Sequence, residues 1–195
     1  MKKISILISF LIAAIFCSAQ LTSEQKKIKK IFFDFLSFYQ QNENKFNSFH
    51  LYRGTGKENG PPYKINWNGA EKYFNYLRKN VPYVGETYIK NEKSYFKSYD
   101  SSYKEFPEEE LVIGFDFDRW AGGQESIVYT RKWYTSPKNI YEITIIKNKA
   151  TLKIGSELME GSTERNWSIV PFVKEKGKWV MADNIYPYDE MDENK

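Results

Sequence analysis

The chain has 195 residues, and its 29 lysines and arginines outnumber its 25 aspartates and glutamates by only four. So weak a basic bias does not indicate a nucleic-acid-binding protein. Cys17 is the only cysteine, so a chain that begins beyond it has no disulfide, no catalytic thiol and no thiolate metal site. Aromatic residues make up 17% of the chain, which suits a large core and surfaces that contact partners or sugars.

The N-terminus has the pattern of a secretory signal. Lys2 and Lys3 precede an uncharged apolar run, Ile4–Phe16, and Cys17 opens a Cys-Ser-Ala triplet that predicts cleavage before Gln20. The apolar run is about 13 residues long and is therefore too short to span a bilayer. Lipidation of Cys17 is the alternative, which the bulky residue before the cysteine disfavours. The sequence thus predicts an exported protein, periplasmic or extracellular, without a transmembrane segment in its mature part.

The mature part, residues 20–195, is predicted to form a single domain with a short acidic tail at Asp189–Glu193. Thr22 and Ser23 are helix-cap residues, and apolar residues then recur at the spacing of one helical face: Ile28, Ile31, Phe32, Phe35, Leu36 and Tyr39. The polar segment 42–47 is expected to end this helix. Its other face carries Lys26, Lys27, Lys29 and Lys30. Such a face favours a solvated surface, with contact to a membrane surface as the alternative.

Two further helices are predicted before the strands begin. Asn68 is expected to cap a helix from Gly69 to Lys79, which Pro82 ends, and a shorter helix is expected around Ile89–Tyr99. The segment 51–62, which is rich in glycine and proline, is predicted to be a plain loop. The inner face of the second helix is expected to hold Tyr73, Phe74 and Leu77.

The second half of the chain is predicted to consist of strands and turns. β-Branched and aromatic residues predict strands at Ile127–Tyr134, Ile140–Ile146 and Ala150–Gly155. A hairpin follows at 166–186, and Gly177 supplies the positive φ that its turn requires. Helices that precede antiparallel strands indicate an α+β fold, in which a curved antiparallel sheet packs on the N-terminal helices.

Two patches of this sequence resemble known families. The closing segment Lys178–Tyr186 resembles the last strand of NTF2-like, cystatin-like cone folds, which often run Gly-Lys-Trp and then Asp/Asn-Ile. The segment Phe115–Glu125 resembles the Asp-x-Asp-Pro-Phe…Ala-Gln-Asp segment of DUF3828-type exported bacterial proteins, although Arg119 and Trp120 replace its proline and phenylalanine. The resemblance implies an NTF2-like cone and envelope accessory or immunity-type roles. It supplies no catalytic residues, because the family's function is obscure, and the cone fold does not decide function since it hosts both enzymes and binding pockets.

Asp116 and Asp118 are the sharpest candidates for chemistry. Two residues apart on a strand, their side chains would face the same way and could hold a hard cation or share a proton. Gln124 and Glu125 could add oxygen ligands. The structural alternative is favoured, in which these side chains bond loop backbone while Arg119 pairs with an aspartate. No metal site and no cofactor is therefore predicted.

The default binding site is a pocket between the sheet and the helices, rimmed by Trp120, Trp133 and Trp167. His50, the sole histidine, is interpreted as a packing or surface residue. Asp34 lies within an apolar run and is interpreted either as an inward carboxylate or as a residue of the helix's solvent side. No nucleophile elbow and no dinucleotide fingerprint is present in the sequence.

These patterns favour a binding or interaction module over an enzyme. The expected ligand is a protein or a small molecule that the sequence does not identify, and an envelope accessory or toxin-immunity role is one form that such a module takes. The alternative function is a small-molecule-binding or hydrolytic enzyme that uses Asp116 or Asp118 in an acidic pocket. The sequence leaves the oligomeric state open.

Overall fold

The computed structural model describes residues 21–158 and 161–188. The predicted signal segment with Cys17, the cleavage site before Gln20 and the acidic tail at Asp189–Glu193 lie outside these residues. Within them the chain forms four α-helices: α1 (Ser23–Asn47), α2 (Trp67–Asn80), α3 (Glu86–Glu105) and α4 (Ile127–Tyr134). The strands of the same residues are β1 (Tyr52–Gly54), β2 (Tyr63–Ile65), β3 (Ile140–Ile146), β4 (Lys149–Gly155), β5 (Trp167–Glu175), β6 (Lys178–Met181) and β7 (Tyr186–Tyr188). No helix in the described part of the chain is long and apolar enough to cross a membrane.

α1 begins where a capping box satisfies its first amides. The Gln25 amide donates to Thr22 Oγ1 at 3.3 Å, and the Thr22 amide donates to Gln25 Oε1 at 2.9 Å. The predicted apolar stripe is buried at Ile28, Phe32, Phe35, Leu36 and Tyr39. The helix does not end at the start of the polar segment 42–47, because Phe46 continues the stripe and is only 1% exposed. α1 is therefore longer at its C-terminal end than the sequence predicts.

α2 and α3 also differ from their predicted bounds. Asn66, rather than Asn68, caps α2, and its Oδ1 accepts a hydrogen bond from the Gly69 amide at 3.2 Å. The predicted inner face of α2 is confirmed, since Tyr73, Phe74 and Leu77 are buried. α3 has 20 residues instead of the predicted short helix, and its buried residues are Tyr88, Ile89, Glu92, Phe96 and Tyr103. The carboxylate in this stripe masks the helical periodicity in the sequence.

The segment Ile127–Tyr134 is a helix, so the prediction of a strand there is wrong. Ser126 caps it, and its Oγ accepts a hydrogen bond from the Tyr129 amide at 3.4 Å. The Tyr134 ring packs edge-on against the Phe32 ring of α1, with centroids 5.6 Å apart. The buried residues of α4 lie at helical spacing and are Ile127, Thr130 and Tyr134. Packing on α1 therefore decides the structure of a segment whose β-branched and aromatic residues suit a strand.

β3 to β7 form one antiparallel sheet in the order β3-β4-β5-β6, with β7 also paired with β5. Gly177 lies in the β5–β6 turn with a φ of 78°, as predicted. The second strand of the predicted hairpin is interrupted at 182–185, so β6 pairs with the end of β5 and β7 with its beginning. The inward face of the sheet shares a hydrophobic core with α1 through Leu152, Ile154, Val170 and Phe172. The predicted α+β architecture, with helices followed by an antiparallel sheet, is confirmed.

A small separate hairpin occupies the segment that the sequence predicts to be a loop. β1 pairs with β2 in antiparallel register, with Tyr52 opposite Ile65. The chain between them folds back so closely that a Cβ on Gly54 would lie 1.7 Å from the Asn59 carbonyl oxygen, so this position requires glycine. The hairpin sets the ring of Tyr52 5.6 Å from the ring of Phe115, centroid to centroid. It therefore forms one side of the cleft described next.

Candidate functional site

A cleft of about 830 Å³ opens between the second half of α1, the start of β1 and the loop 115–126. Its volume lies within the range that small-molecule sites occupy. Tyr39, Glu43 and Phe46 line it from α1, and Tyr52 lines it from β1. The loop contributes six of the predicted site residues: Asp116, Asp118, Arg119, Trp120, Gln124 and Glu125. The structure thus brings these six residues together around one cavity.

The loop folds around Asp118. Its Oδ1 accepts hydrogen bonds from the Trp120 and Ala121 amides, both at 3.0 Å, and its own amide donates to the Gly123 carbonyl oxygen at 2.8 Å. Asp116 Oδ1 accepts a hydrogen bond from the Gly114 amide at 3.1 Å. The two aspartates therefore lie in a turn-rich loop, and the strand on which the sequence interpretation placed them is not present. Their bonds to loop backbone match the structural interpretation of the sequence.

The second oxygen of Asp118 connects the loop to α1. Tyr39 OH donates to Asp118 Oδ2 at 2.9 Å. Burial raises the pKa of the Asp118 carboxyl above its usual value, against the hydrogen bonds that favour the charged form. Burial, followed by the charge of Asp118, raises the pKa of the Tyr39 hydroxyl. With both oxygens occupied, Asp118 acts as a fixed part of the cleft floor.

Arg119 lines the cleft, but its side chain is buried and pairs with Glu92 of α3, not with an aspartate as predicted. Both side chains are buried, with exposures of 5% and 1%. Desolvation lowers the pKa of Arg119, but the charge of Glu92 and the nearby hydroxyls of Tyr95, Tyr73 and Tyr88 together outweigh it and hold that pKa above its usual value. The guanidinium carbon also lies 3.4 Å from the centroid of the Tyr95 ring. Glu92 neutralises this cation, so Arg119 adds little net positive charge to the cleft.

Glu92 is the centre of a buried polar network that sequence reasoning missed. Its Oε1 accepts from Asn184 Nδ2 at 2.8 Å and its Oε2 accepts from Tyr73 OH at 2.9 Å. Asn184 Oδ1 accepts in turn from the hydroxyl of Tyr88. Trp120 Nε1 donates to Tyr73 OH at 2.7 Å, which connects the network to the cleft wall. No local signal reveals such a cluster, because its members are isolated polar residues far apart in the sequence.

The three tryptophans predicted to rim one pocket lie in different places. Trp120 is 7% exposed and forms part of the cleft wall. Trp133 lies on α4 beside a shallow depression that also includes Pro137 and Glu157. Trp167 starts β5, and Lys153 Nζ lies 5.2 Å from the centroid of a ring of its indole. Trp120 alone therefore belongs to the cleft, and the three do not form one rim.

The charge on the cleft lining is acidic. Glu43, Asp116 and Glu125 line it with Asp118, and none of these four carboxylates has an ion-pair partner among the described residues. Sequence reasoning missed Glu43, because it placed this residue in the polar end of the first helix. The continued helix sets Glu43 one turn beyond Tyr39 on the same side of α1. The helical spacing of Tyr39, Glu43 and Phe46 was the available signal.

The two remaining candidates, His50 and Asp34, lie at the protein surface. His50 is exposed at the edge of the cleft, as the surface interpretation predicted, and Asp34 forms a surface ion pair with Lys30 at 2.6 Å. In the described ranges, no three histidine, cysteine, aspartate or glutamate side chains are grouped so that they could hold a metal ion.

The chain matches no protein-family model, no curated protein and no solved structure. The resemblance to DUF3828-type proteins therefore stays a prediction.

Proposed function

We propose that this protein is a binding module whose cleft takes an organic cation, either a small amine or guanidinium ligand or a basic side chain of a partner. The observation that carries the proposal is the set of carboxylates without ion-pair partners in the described residues, which line a cleft that also has six aromatic side chains of phenylalanine, tyrosine and tryptophan in its walls. Carboxylates attract a cation by charge, and ring faces bind it through their quadrupoles.

The distribution of charge supports this ligand class. The whole chain carries a net charge of +4, yet its cleft is lined by Glu43, Asp116, Asp118 and Glu125. The cleft also keeps aromatic surface open to solvent, because Tyr52 is 38% exposed and Phe117 is 39% exposed. The positive charge of the remaining surface repels cations, whereas the acidic and aromatic lining of the cleft attracts them.

Binding is better supported than hydrolysis. A catalytic carboxylate needs an oxygen that can reach the substrate. Asp118, which is half-buried, accepts from Tyr39, Trp120 and Ala121 with its two oxygens. Asp116 also accepts a backbone amide. These bonds favour aspartates that shape the site, while Glu43, Glu125 and the second oxygen of Asp116 are left to contact a ligand.

Isothermal titration calorimetry with argininamide, compared with its neutral isostere citrullinamide, tests the proposal. We expect argininamide to bind more tightly, and we expect the Glu43→Gln, Glu125→Gln double variant to weaken that binding about threefold to tenfold. Glu142→Gln is the matched control, because it removes an exposed carboxylate from β3, which does not line the cleft. Equal affinity for the two probes, or an equal loss in the control, would exclude a cation-selective cleft.

We also propose that the mature protein is exported and begins at Gln20, with an NTF2-like cone as its fold type. The signal pattern of the first 19 residues supports export, and helices that precede an antiparallel sheet support the cone. Intact mass spectrometry of the protein from its native cells should give the mass of residues 20–195. A mass that includes the signal would contradict export, and a lipidated Cys17 would move the protein to a membrane surface.

A further inference from the structure

A second cavity, of about 530 Å³, lies on the other side of His50 from the acidic cleft. We call it the lysine groove, after Lys45 of α1 and Lys72 and Lys79 of α2, which line it. Among residues 21–158 and 161–188, no aspartate or glutamate lines this cavity. In the part of the chain that the structure describes, none of the three lysines forms an ion pair. The groove is therefore a surface for anionic groups.

The lysines form a line rather than a single cluster. Lys72 and Lys79 are seven residues apart on α2, which places them on one helix face about 10 Å apart along the axis. Asn68 and Asn75 share this face and add side-chain amides to the same groove. Lys45 Nζ lies 4.8 Å from the centroid of the Phe49 ring and 5.9 Å from that of the Tyr76 ring of α2, so these two rings hold it beside the groove. This row of lysines fits an extended ligand with several acidic groups better than a single compact anion.

The groove and the cleft meet at the end of α1. Lys45 lines the groove and its neighbour Phe46 lines the cleft, while His50 lines both cavities. The backbone of His50 has a φ of 48°, and its carbonyl oxygen accepts from Asn66 Nδ2 at 2.8 Å. These contacts fix the junction between α1 and the start of α2. Two cavities of opposite charge therefore lie side by side, separated by one residue that belongs to both.

We propose that the cleft and the lysine groove form one bipartite site for an amphoteric peptide segment, with basic residues in the cleft and acidic residues in the groove. The inference rests on the proposed function, because the cleft must first accept a cation. A peptide is favoured over a small zwitterion because the groove follows α2 from Asn68 to Lys79, which is about 16 Å along the helix axis. An amphoteric segment contacts the carboxylates of the cleft with its basic residues and the lysines of the groove with its acidic residues. A purely basic segment is repelled by those lysines.

Calorimetry with the full chain and short blocked peptides tests this inference. The amphoteric probes are acetyl-KKGDD-amide and its reverse, acetyl-DDGKK-amide, and the cation-only and anion-only probes are acetyl-KKGNN-amide and acetyl-QQGDD-amide. We expect one amphoteric order to bind about threefold to tenfold more tightly than the cation-only peptide. The Lys72→Gln, Lys79→Gln double variant should remove this gain and leave the cation-only affinity nearly unchanged. Lys64→Gln is the matched control, since Lys64 is exposed on β2 and lines neither cavity.

The outcomes separate the two proposals. If the cation-only peptide binds and the amphoteric peptides bind no better, the bipartite site is wrong while the cation cleft stands. If the anion-only peptide binds through Lys72 and Lys79 but an acidic end adds nothing to a basic peptide, the cavities are independent and the bipartite site is again wrong. If neither cationic nor amphoteric peptides bind, the proposed function itself fails.

Discussion

Among single residues, Glu92 has the most demanding environment, because it is 1% exposed and accepts hydrogen bonds from Arg119, Asn184 and Tyr73. The attraction between two buried charges is offset by the cost of removing both from water. The ion pair is therefore no large source of stability by itself. Its effect appears when one partner is removed and the other charge stays buried without a counter-charge.

Glu92→Gln should lower the free energy of unfolding by about 3–5 kcal/mol, because it leaves the Arg119 guanidinium buried and uncompensated. Urea unfolding followed by circular dichroism measures the change. Glu71→Gln is the control, since it breaks the exposed pair with Lys93, and it should cost less than about 1 kcal/mol. Similar losses in the two variants would show that the buried charge carries no special cost.

The site residues divide into those with a local signal and those without one. Asp116, Asp118 and Glu125 stand out because acidic residues, glycines and aromatics are concentrated in one short loop. The hydrogen bonds of the two aspartates to backbone follow from the usual behaviour of such side chains in turns. Glu92 and Asn184 gave no such signal, since each is a single polar residue whose partners lie on other elements. Their roles depend on tertiary contacts that no sequence window contains.

Among the secondary-structure elements, α4 shows where local propensity and tertiary packing disagree. Its sequence is Ile-Val-Tyr-Thr-Arg-Lys-Trp-Tyr, and six of these eight residues are of types that are enriched in strands. The Ser126 cap and the burial of Ile127, Thr130 and Tyr134 against the core favour a helix. Val128 points away from the core and is 61% exposed. At that position the intrinsic helix propensity of the residue affects stability without a contribution from core packing.

Val128→Ala should raise the free energy of unfolding by up to about 0.7 kcal/mol, because alanine is the better helix former at an exposed position. Thermal or urea unfolding of the variant beside the parent chain measures this small gain. Ser126→Ala should act in the opposite direction and cost about 1 kcal/mol through loss of the cap. Destabilisation by Val128→Ala would indicate a strand, where valine is preferred to alanine.

The elements that the sequence predicted well are those whose local and tertiary preferences agree. α1 has a capping box and an apolar stripe of helical period, and β3 and β4 alternate across a tight turn. α3 was predicted too short, because Glu92 and several tyrosines interrupt its apolar stripe. The sequence predicts β6 and β7 as one strand. The structure breaks this strand at 182–185, because these residues make contacts with α3 that no local sequence pattern reveals. One of these contacts joins Asn91 Nδ2 to the Ala182 carbonyl oxygen at 3.0 Å.

At the scale of the whole molecule, the helical and sheet parts complete each other's hydrogen bonds. α3 has no side-chain cap of its own at Gly85. Glu175 of β5 supplies one instead, accepting from the Glu86 amide at 2.9 Å and the Thr87 amide at 2.8 Å. A carboxylate at this position also interacts favourably with the N-terminal end of the helix dipole. Neither part of the fold satisfies its polar groups without the other.

The hydrogen bond between Glu92 and Asn184 joins two parts of the chain that are synthesised far apart in time. The two residues are 92 positions apart, and Asn184 lies near the end of the described chain. Chains emerge from the ribosome N-terminus first, so the helices that carry Glu92 and its neighbours are made long before their last partner. Until Asn184 arrives, the buried carboxylate lacks one of its donors and the β5 strand lacks β7. The buried polar network around Glu92 is therefore completed only after Asn184, the last of its members along the chain, has been synthesised.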